Sequence, residues 1–239
     1  MSASERLHES LAWNERLRQA STADTPGSAL LPALQNWQRQ RLHLSYADLL
    51  EQERYQPACA FFLDELYGGQ DFSQRHADLA RVEPIMSRMM PDHLLITVAE
   101  ALEVQALSLE LDLAISSQLA AQSESDPQRI TQSRYAQAYR SSGTPQQREH
   151  QIELIMHVGQ ALDAVVHKFW VYRLLKLLRG PAVAAGFGEL QTFLETGFGA
   201  FKQLNGADTF LDAIKTREGA AMEAIFAGED QPFAQLAIA

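Results

Sequence analysis

The feature that most constrains the fold of this chain is a long helical pattern from Pro91 to about Ala121. Apolar residues recur there at three- and four-residue steps along one face, at Leu95, Ala99, Leu102, Ala106, Leu109 and Leu113. A second apolar stripe follows Ile96, Leu107 and Leu111. Because a helix that is apolar on nearly every side must be covered by other helices, this one is predicted to lie at the centre of the protein.

Turn-forming residues divide the rest of the chain into further amphipathic segments. A second long helix is predicted from about Gln146 to Arg179, capped by Thr144 and stopped by Gly180-Pro181. Ser28 is the predicted cap of an earlier helix. No stretch alternates in the way that a strand requires. The sequence therefore predicts an all-α protein, a single bundle of about eight or nine helices with two long central helices.

The chain is predicted to contain one main domain with a short segment on each side. Residues 1–27 are expected to form an N-terminal helix and a flexible joint, because STADTPG is rich in turn formers. Residues 28–228 are expected to form the helical-bundle domain. Residues 229–239 are predicted to be a loosely attached C-terminal tail.

Charge and composition argue against several classes of function. Acidic residues outnumber basic ones by 30 to 20, and the net charge of −10 repels phosphate backbones, so we expect no nucleic-acid binding. No run of about 18 apolar residues occurs, so we expect no membrane span. The N-terminus has no apolar signal-peptide core and Cys59 is the single cysteine. These features predict a cytoplasmic protein in which Cys59, within an apolar run, is buried.

Several segments between Trp37 and Asp112 resemble an uncharacterised family of bacterial helical proteins. The most distinctive are FFLDELYG at residues 61–68 and DLARV at residues 78–82. His76 departs from the family pattern, in which we expect an aspartate. The family is a domain of unknown function, so the resemblance implies a bacterial source and a helical fold but no activity, ligand or catalytic residue.

The two long helices carry a candidate metal site. His150, Glu153 and His157 share one face of the second long helix. Glu100 and Glu103 lie beside the second apolar stripe of the central helix. Iron and manganese accept carboxylate and imidazole ligands of this kind, and helical bundles hold such sites in their cores.

The same residues also fit structural roles, which we favour because the Glu-x-x-His pair of bundle metal sites is missing. The histidine-bearing face is then an exposed polar stripe. The two carboxylates are then exposed, or form ion pairs with Arg41, Arg81 or Arg88, because an isolated buried charge is too costly.

A dense group of charged residues surrounds the Gly68-Gly69 turn. Its candidate members are Asp64, Glu65, Tyr67, Asp78 and Arg81. We interpret it as an ion-pair network that fixes two short helices against the long one. The alternative is a small polar pocket.

No recognisable catalytic set, phosphate-binding loop or dinucleotide motif occurs, so the sequence favours a non-enzymatic function and no cofactor. We predict a helical interaction or regulatory protein that binds a protein partner or itself, because the chain has more long apolar helix than a small bundle needs. Two alternatives are a metal- or cofactor-binding bundle and a small-molecule sensor. The sensor's aromatic pocket would be drawn from Phe61, Phe62, Trp170, Phe198 and Phe201.

Overall fold

The computed structural model describes residues 1–66, 73–122 and 129–236. These ranges contain helices and turns but no strand, so the predicted all-α bundle is confirmed. Eleven α-helices and one π-helix occur within them, more than the eight or nine predicted. Part of the excess arises because the predicted second long helix is divided into α8 and α9. The helices are α1 (Ala3–Ser21), α2 (Pro26–Ser45), α3 (Ala47–Leu50), α4 (Gln56–Ala60), the π-helix (Phe61–Leu66), α5 (Ser73–Met89), α6 (Asp92–Ala121), α7 (Gln132–Ser142), α8 (Pro145–Val166), α9 (Phe169–Ala184), α10 (Gly188–Leu204) and α11 (Asp208–Phe226).

α6 is the central helix, as its apolar pattern predicts. It packs against α1, α2, α7 and α8. Three apolar clusters follow one another along it. Leu95 and Leu102 pack with Leu7 of α1. Leu111 packs with Leu154 of α8, and nearer the carboxyl end Leu119 joins a cluster built from α2, α7 and α11.

A second core lies beyond the α6 assembly. It joins the end of α2, the short helices, the end of α8, α10 and α11. Its fully buried residues include Tyr46, Leu63, Leu204 and Phe210. Cys59 belongs to this core and is 1% exposed, which confirms its predicted burial. Burial raises the pKa of its thiol to about 11, so Cys59 is a packing residue rather than a nucleophile.

The second long helix is divided, where a single helix was predicted. α8 ends at Val166, which is 2% exposed within the second core. Lys168 is extended, and α9 begins at Phe169. Pro181 then lies inside α9 instead of ending it. The break places Val166 in the core and turns Phe169 outward, and no glycine or proline marks it in the sequence.

Caps explain where two of the helices begin. Thr144 caps α8 in a capping box with Gln147, and Pro145 is the first helical residue, as predicted. The predicted cap of α2 was wrong. The cap is Thr25, whose hydroxyl accepts a hydrogen bond from the backbone N–H of Ser28 at 3.1 Å. Pro26 therefore takes the first position of α2.

The segment after α11 is packed where a loose tail was predicted. Phe233 is 3% exposed and its ring centroid lies 6.2 Å from that of Trp37. Its backbone N–H donates to the Gln132 side-chain oxygen at 3.0 Å, and the Gln132 amide donates back to its carbonyl at 3.2 Å. Phe233 therefore holds this segment against the bundle. Among the described helices, none combines the length and apolar character needed to cross a membrane.

Two glycines of α10 provide a test of how tightly the π-helix packs. A Cβ added at Gly197 would lie 2.7 Å from the Phe61 ring, whereas one added at Gly199 would meet nothing within 4 Å. We expect Gly197→Ala to destabilise the protein by about 1–2 kcal/mol through overpacking. Gly199→Ala should stabilise it by about 0.5–1 kcal/mol, because alanine favours the helix. Urea unfolding of both variants measures the difference, and equal effects would contradict the close contact.

Candidate functional site

Glu100 and Glu103, two of the predicted metal ligands, pair with Arg6 of α1. The Arg6 guanidinium donates to the two Glu103 oxygens at 2.7 and 2.6 Å and to Glu100 Oε1 at 3.2 Å. The hydrogen bond with Glu103 is the main cause that raises the pKa of Arg6. The structural interpretation of these carboxylates as ion-paired groups is thus correct, but the predicted partners Arg41, Arg81 and Arg88 were wrong.

The other three predicted ligands lie along the exposed side of α8. His150 Nδ1 is 4.0 Å from Glu153 Oε2, and both side chains are about three-fifths exposed (60% and 61%). His157 is exposed as well. Within the described ranges, no three histidine, cysteine, aspartate or glutamate side chains lie close enough to hold a metal ion. The structure therefore does not bring the five predicted ligands together.

The polar network predicted around the Gly68-Gly69 turn is only partly described. Asp64 of the π-helix lies 3.3 Å from His43 Nε2 on α2, and both side chains are well exposed. Tyr67 and the side chain of Glu65 lie outside the described part of the chain. The contact between Asp64 and His43 thus ties the π-helix to α2.

Asp78 and Arg81 form a second, separate part of that network. The Asp78 side chain is fully buried, and its Oδ1 lies 3.7 Å from Arg81 Nη1. Arg81 also donates to the Ala185 carbonyl at 3.4 Å and stacks 4.5 Å above the Phe187 ring. This pair therefore holds α5 against the turn between α9 and α10.

The aromatic residues predicted to line a pocket are mostly buried, Phe61 against Phe193 and Phe62 and Phe201 in the second core. Phe61, Phe62 and Phe201 are 6–7% exposed. The rings of Phe62 and Phe201 both meet Phe210 edge-on, at 6.4 and 6.3 Å. Phe198 is partly buried against the same core, and the side chain of Trp170 lies outside the described part. The described rings therefore serve as core.

A buried ion pair that the sequence did not reveal joins α2 to α11. Arg41 is 7% exposed, and its Nη1 lies 2.7 Å from each Glu218 oxygen. The Tyr46 hydroxyl donates to the same carboxylate at 3.0 Å, and the guanidinium stacks 4.8 Å from the Phe233 ring. Burial lowers the pKa of Arg41, but Glu218, together with Tyr135 and Tyr46, more than offsets this and holds the pKa above its ordinary value.

Between α6 and α8, a buried arginine has only some of its hydrogen bonds satisfied. Arg148 is 5% exposed and stacks 4.0 Å above the Tyr139 ring. Its Nε and Nη2 atoms are buried without a hydrogen-bond partner among the described residues. On α6, Asp112 accepts a hydrogen bond from Gln38 at 2.9 Å. Burial raises the pKa of Asp112 to about 6, against the opposing effects of Gln38 and the Arg148 charge.

A shallow groove of about 260 Å³ runs beside α1. Its lining consists of Arg6, Glu9, Ser10, Trp13, Arg16 and Glu103. Arg6 and Ser10 already bond to Glu103, and the Trp13 indole donates to Glu110 at 3.0 Å. Because these side chains bond to one another, the groove presents few groups to a ligand.

The most unusual surface of the described structure belongs to α9. None of its described side chains is buried, whereas α10 and α11 each bury several. Phe169, Leu177 and Val183 are 70%, 75% and 57% exposed. We call these three residues, with Arg173, the α9 surface. No other described element carries as many exposed large hydrophobic side chains.

The charge of α9 is opposite to that of the protein as a whole. Residues 164–188 contain no acid, while the net charge of the chain is −10. The basic residues of this stretch, histidine aside, are Lys168, Arg173, Lys176 and Arg179. Glu195 of α10 lies 3.5 Å from Lys176 and 3.3 Å from Arg179. The pKa of Glu195 is lowered by a hydrogen bond from Gln191 and by these two cations.

The fold and this surface define the class: an all-helical bundle protein with one basic, apolar helix left exposed. Residues 17–232 match the model of the family described as Domain of unknown function (DUF8198), so the chain belongs to that family. The resemblance read from the sequence is thereby confirmed, while the bacterial source stays a prediction. Comparisons with curated proteins and with solved structures gave no match.

The Arg41–Glu218 pair generates a stability prediction. Arg41→Met should destabilise the protein by about 3–5 kcal/mol, because it leaves a largely buried carboxylate without its cation. Combining it with Glu218→Gln should recover most of that loss. As a control, Arg18→Met breaks an exposed pair with Glu15 and should cost less than about 1 kcal/mol. Chemical denaturation measures all three; an Arg41→Met effect as small as the control would contradict the assignment.

Asp112 generates a prediction about pH. Its pKa of about 6 lies above its ordinary value of 3.8, so the folded protein holds this proton more tightly than the unfolded chain does. The destabilisation is therefore absent below about pH 4, grows as the pH rises towards 6 and is complete above it. We expect Asp112→Asn to stabilise the protein by about 1–3 kcal/mol at pH 7.5.

The same variant should have no effect on thermal stability at pH 4. Exposed Asp212 of α11 supplies the matched control, because Asp212→Asn should change the melting temperature little at either pH. A stabilisation by Asp112→Asn that is independent of pH would contradict the raised pKa.

Proposed function

We propose that this protein is a non-catalytic helical interaction protein, and that the α9 surface is where a protein partner docks. The observation that carries the proposal is the combined exposure of Phe169, Leu177 and Val183 on a single helix. Interaction sites typically place large apolar side chains at the centre of a polar rim. Here Lys176 and Arg179 supply that rim, and Arg173 lies between Phe169 and Leu177.

The surroundings of α9 support this proposal. Among the side chains that the structure describes, seven large hydrophobic ones are exposed, and five of these lie on α9, α5 and α10, with Ile85 on α5 and Leu194 on α10. The Arg81 contact with Ala185 brings α5 to the end of α9. A partner that covers α9 would therefore find further apolar groups on neighbouring helices. We place this interaction in the cytoplasm, where an unpaired Cys59 thiol is expected.

The alternatives have less support. A metal-binding bundle would require the five candidate ligands to converge, and the described side chains do not form such a group. A small-molecule sensor would require space among its aromatic residues, and the described rings instead pack on one another.

The test compares binding by the protein and three variants. Phe169→Glu and Leu177→Glu place a charge on the α9 surface, while Leu44→Glu does so at an exposed leucine of α2. Proteins captured from the native cells by all four are compared by mass spectrometry, and each candidate partner is then purified. We expect its affinity to fall at least about tenfold with the two α9 variants and to be unchanged with Leu44→Glu. A partner that binds all four equally, or none that binds the native protein, would overturn the proposal.

A further inference from the structure

We infer that the partner of the α9 surface is an acidic amphipathic helix of another protein. This inference rests on the proposed function and names the chemistry of the partner. It follows from three properties of α9: the spacing of its apolar groups, the sign of its charge and the shape of its open side.

The spacing of the apolar groups fits a helix. Phe169, Leu177 and Val183 are separated by eight and six residues, so they extend over about 21 Å along α9 at 1.5 Å per residue. Gly180 lies between the last two, and a Cβ added there would meet nothing within 4 Å. On the open side of α9, Leu177 and Val183 thus project on either side of a shallow depression at Gly180. Ridges and grooves of this kind accept the side chains of a second helix.

The charge on α9 selects an acidic partner. Lys176 and Arg179 share Glu195, but Arg173 stands between Phe169 and Leu177 with its guanidinium 5.2 Å from the Phe169 ring. Carboxylates beside the apolar positions of a docked helix would meet this cation. A purely apolar helix would leave Arg173 desolvated without a partner, which is costly.

The same charges disfavour a second copy of this chain. In a two-fold dimer of α9 surfaces, Arg173, Lys176 and Arg179 of one copy would face the same residues of the other. Like charges at such close range oppose association.

An anionic membrane is also disfavoured. A membrane is a plane, so it would approach the surface around α9 as well as α9 itself, and the chain as a whole carries a net charge of −10. A single helix needs to touch only the basic stretch of α9. The observations therefore favour a protein helix over a lipid surface.

The experiment uses three synthetic peptides of about 18 residues, long enough to cover the exposed face. The first combines leucines at helical three- and four-residue spacing with glutamates. The second replaces each glutamate by lysine, and the third keeps the glutamates but replaces each leucine by glutamine. Fluorescence anisotropy of labelled peptides with the full-length protein should give at least about tenfold tighter binding for the first peptide than for either other. Because the protein is acidic overall, general attraction does not explain such a preference.

Variants locate the binding and test the charge. Leu177→Glu should weaken binding of the leucine–glutamate peptide at least about tenfold, and Leu44→Glu should leave it unchanged. Arg173→Glu should weaken this peptide and strengthen the leucine–lysine one, a reversal that unfolding would not produce. Circular dichroism checks that each variant stays helical.

Several outcomes would overturn the inference. Equal binding of the glutamate and lysine peptides, or no binding of any peptide, would contradict an acidic helix as the partner. Binding to vesicles containing phosphatidylglycerol but not to those of phosphatidylcholine alone, lost in Leu177→Glu, would identify a membrane surface instead. A dimer detected by light scattering and lost in Leu177→Glu would identify a second copy. If the peptides show no preference but a purified partner still binds through the α9 surface, the inferred acidic helix is wrong and the proposed function stands. Failure of the inference and failure of the proposed function are therefore distinguishable.

Discussion

The structure depends on the need to cover α6. This helix is apolar on nearly all sides, so no single neighbour can remove it from water, and α1, α2, α7 and α8 each take one part of its surface. The covering helices are also fixed along its axis, because α6 carries carboxylates that need partners. Arg6 of α1 meets Glu100 and Glu103, and Gln38 of α2 meets Asp112. A slip of one helical turn, about 5.4 Å, would separate Gln38 from Asp112 and would leave Arg6 with at most one of its two carboxylates.

α9 is held by a different kind of contact. Val166 ends α8 inside the second core, and the chain then turns so that α9 lies along α10. Its contacts there include hydrogen bonds and ion pairs: Gln191 donates to the Leu175 carbonyl at 2.7 Å, and Glu195 lies near Lys176 and Arg179. Exposed ion pairs contribute little to stability. α9 is therefore attached to the bundle without burying any of its large apolar side chains that the structure describes.

Local sequence signals predicted much of the fold. The bounds of α6 were correct to within a residue, since Pro91 marks where this helix begins, and α10 likewise ends where an asparagine and a glycine follow it. Asn205 has a φ of 51° and Gly206 a φ of 105°, left-handed conformations that these two residue types adopt readily. The break at His167-Lys168 has no such marker. It arises from tertiary packing, which gives Val166 a place in the core and gives Phe169 none.

The pairing of residues that are far apart in the sequence was harder to predict than the positions of the helices. Arg6 lies 97 positions from Glu103, and nothing in the local pattern of either helix points to the other. Arg41 did carry a signal, because it falls in the apolar stripe of α2 between Trp37 and Leu42, where a charged residue requires a buried partner. The partner itself, Glu218, is 177 positions away, and only the packing of α11 against the bundle identifies it.

Besides the buried carboxyl of Asp112, two features of this protein oppose stability, and only one of them is partly offset by a contact within the protein. Arg148 is a buried cation with unpaired N–H groups, but the Tyr139 ring lies 4.0 Å from it and offsets part of the desolvation. The α9 surface has no comparable compensation within the described structure, because Phe169, Leu177 and Val183 face outward. Replacing such exposed apolar groups by polar ones would cost the folded chain little. The stability of the bundle thus gives no reason for these apolar groups, whereas the proposed docking of a partner on the α9 surface would account for them.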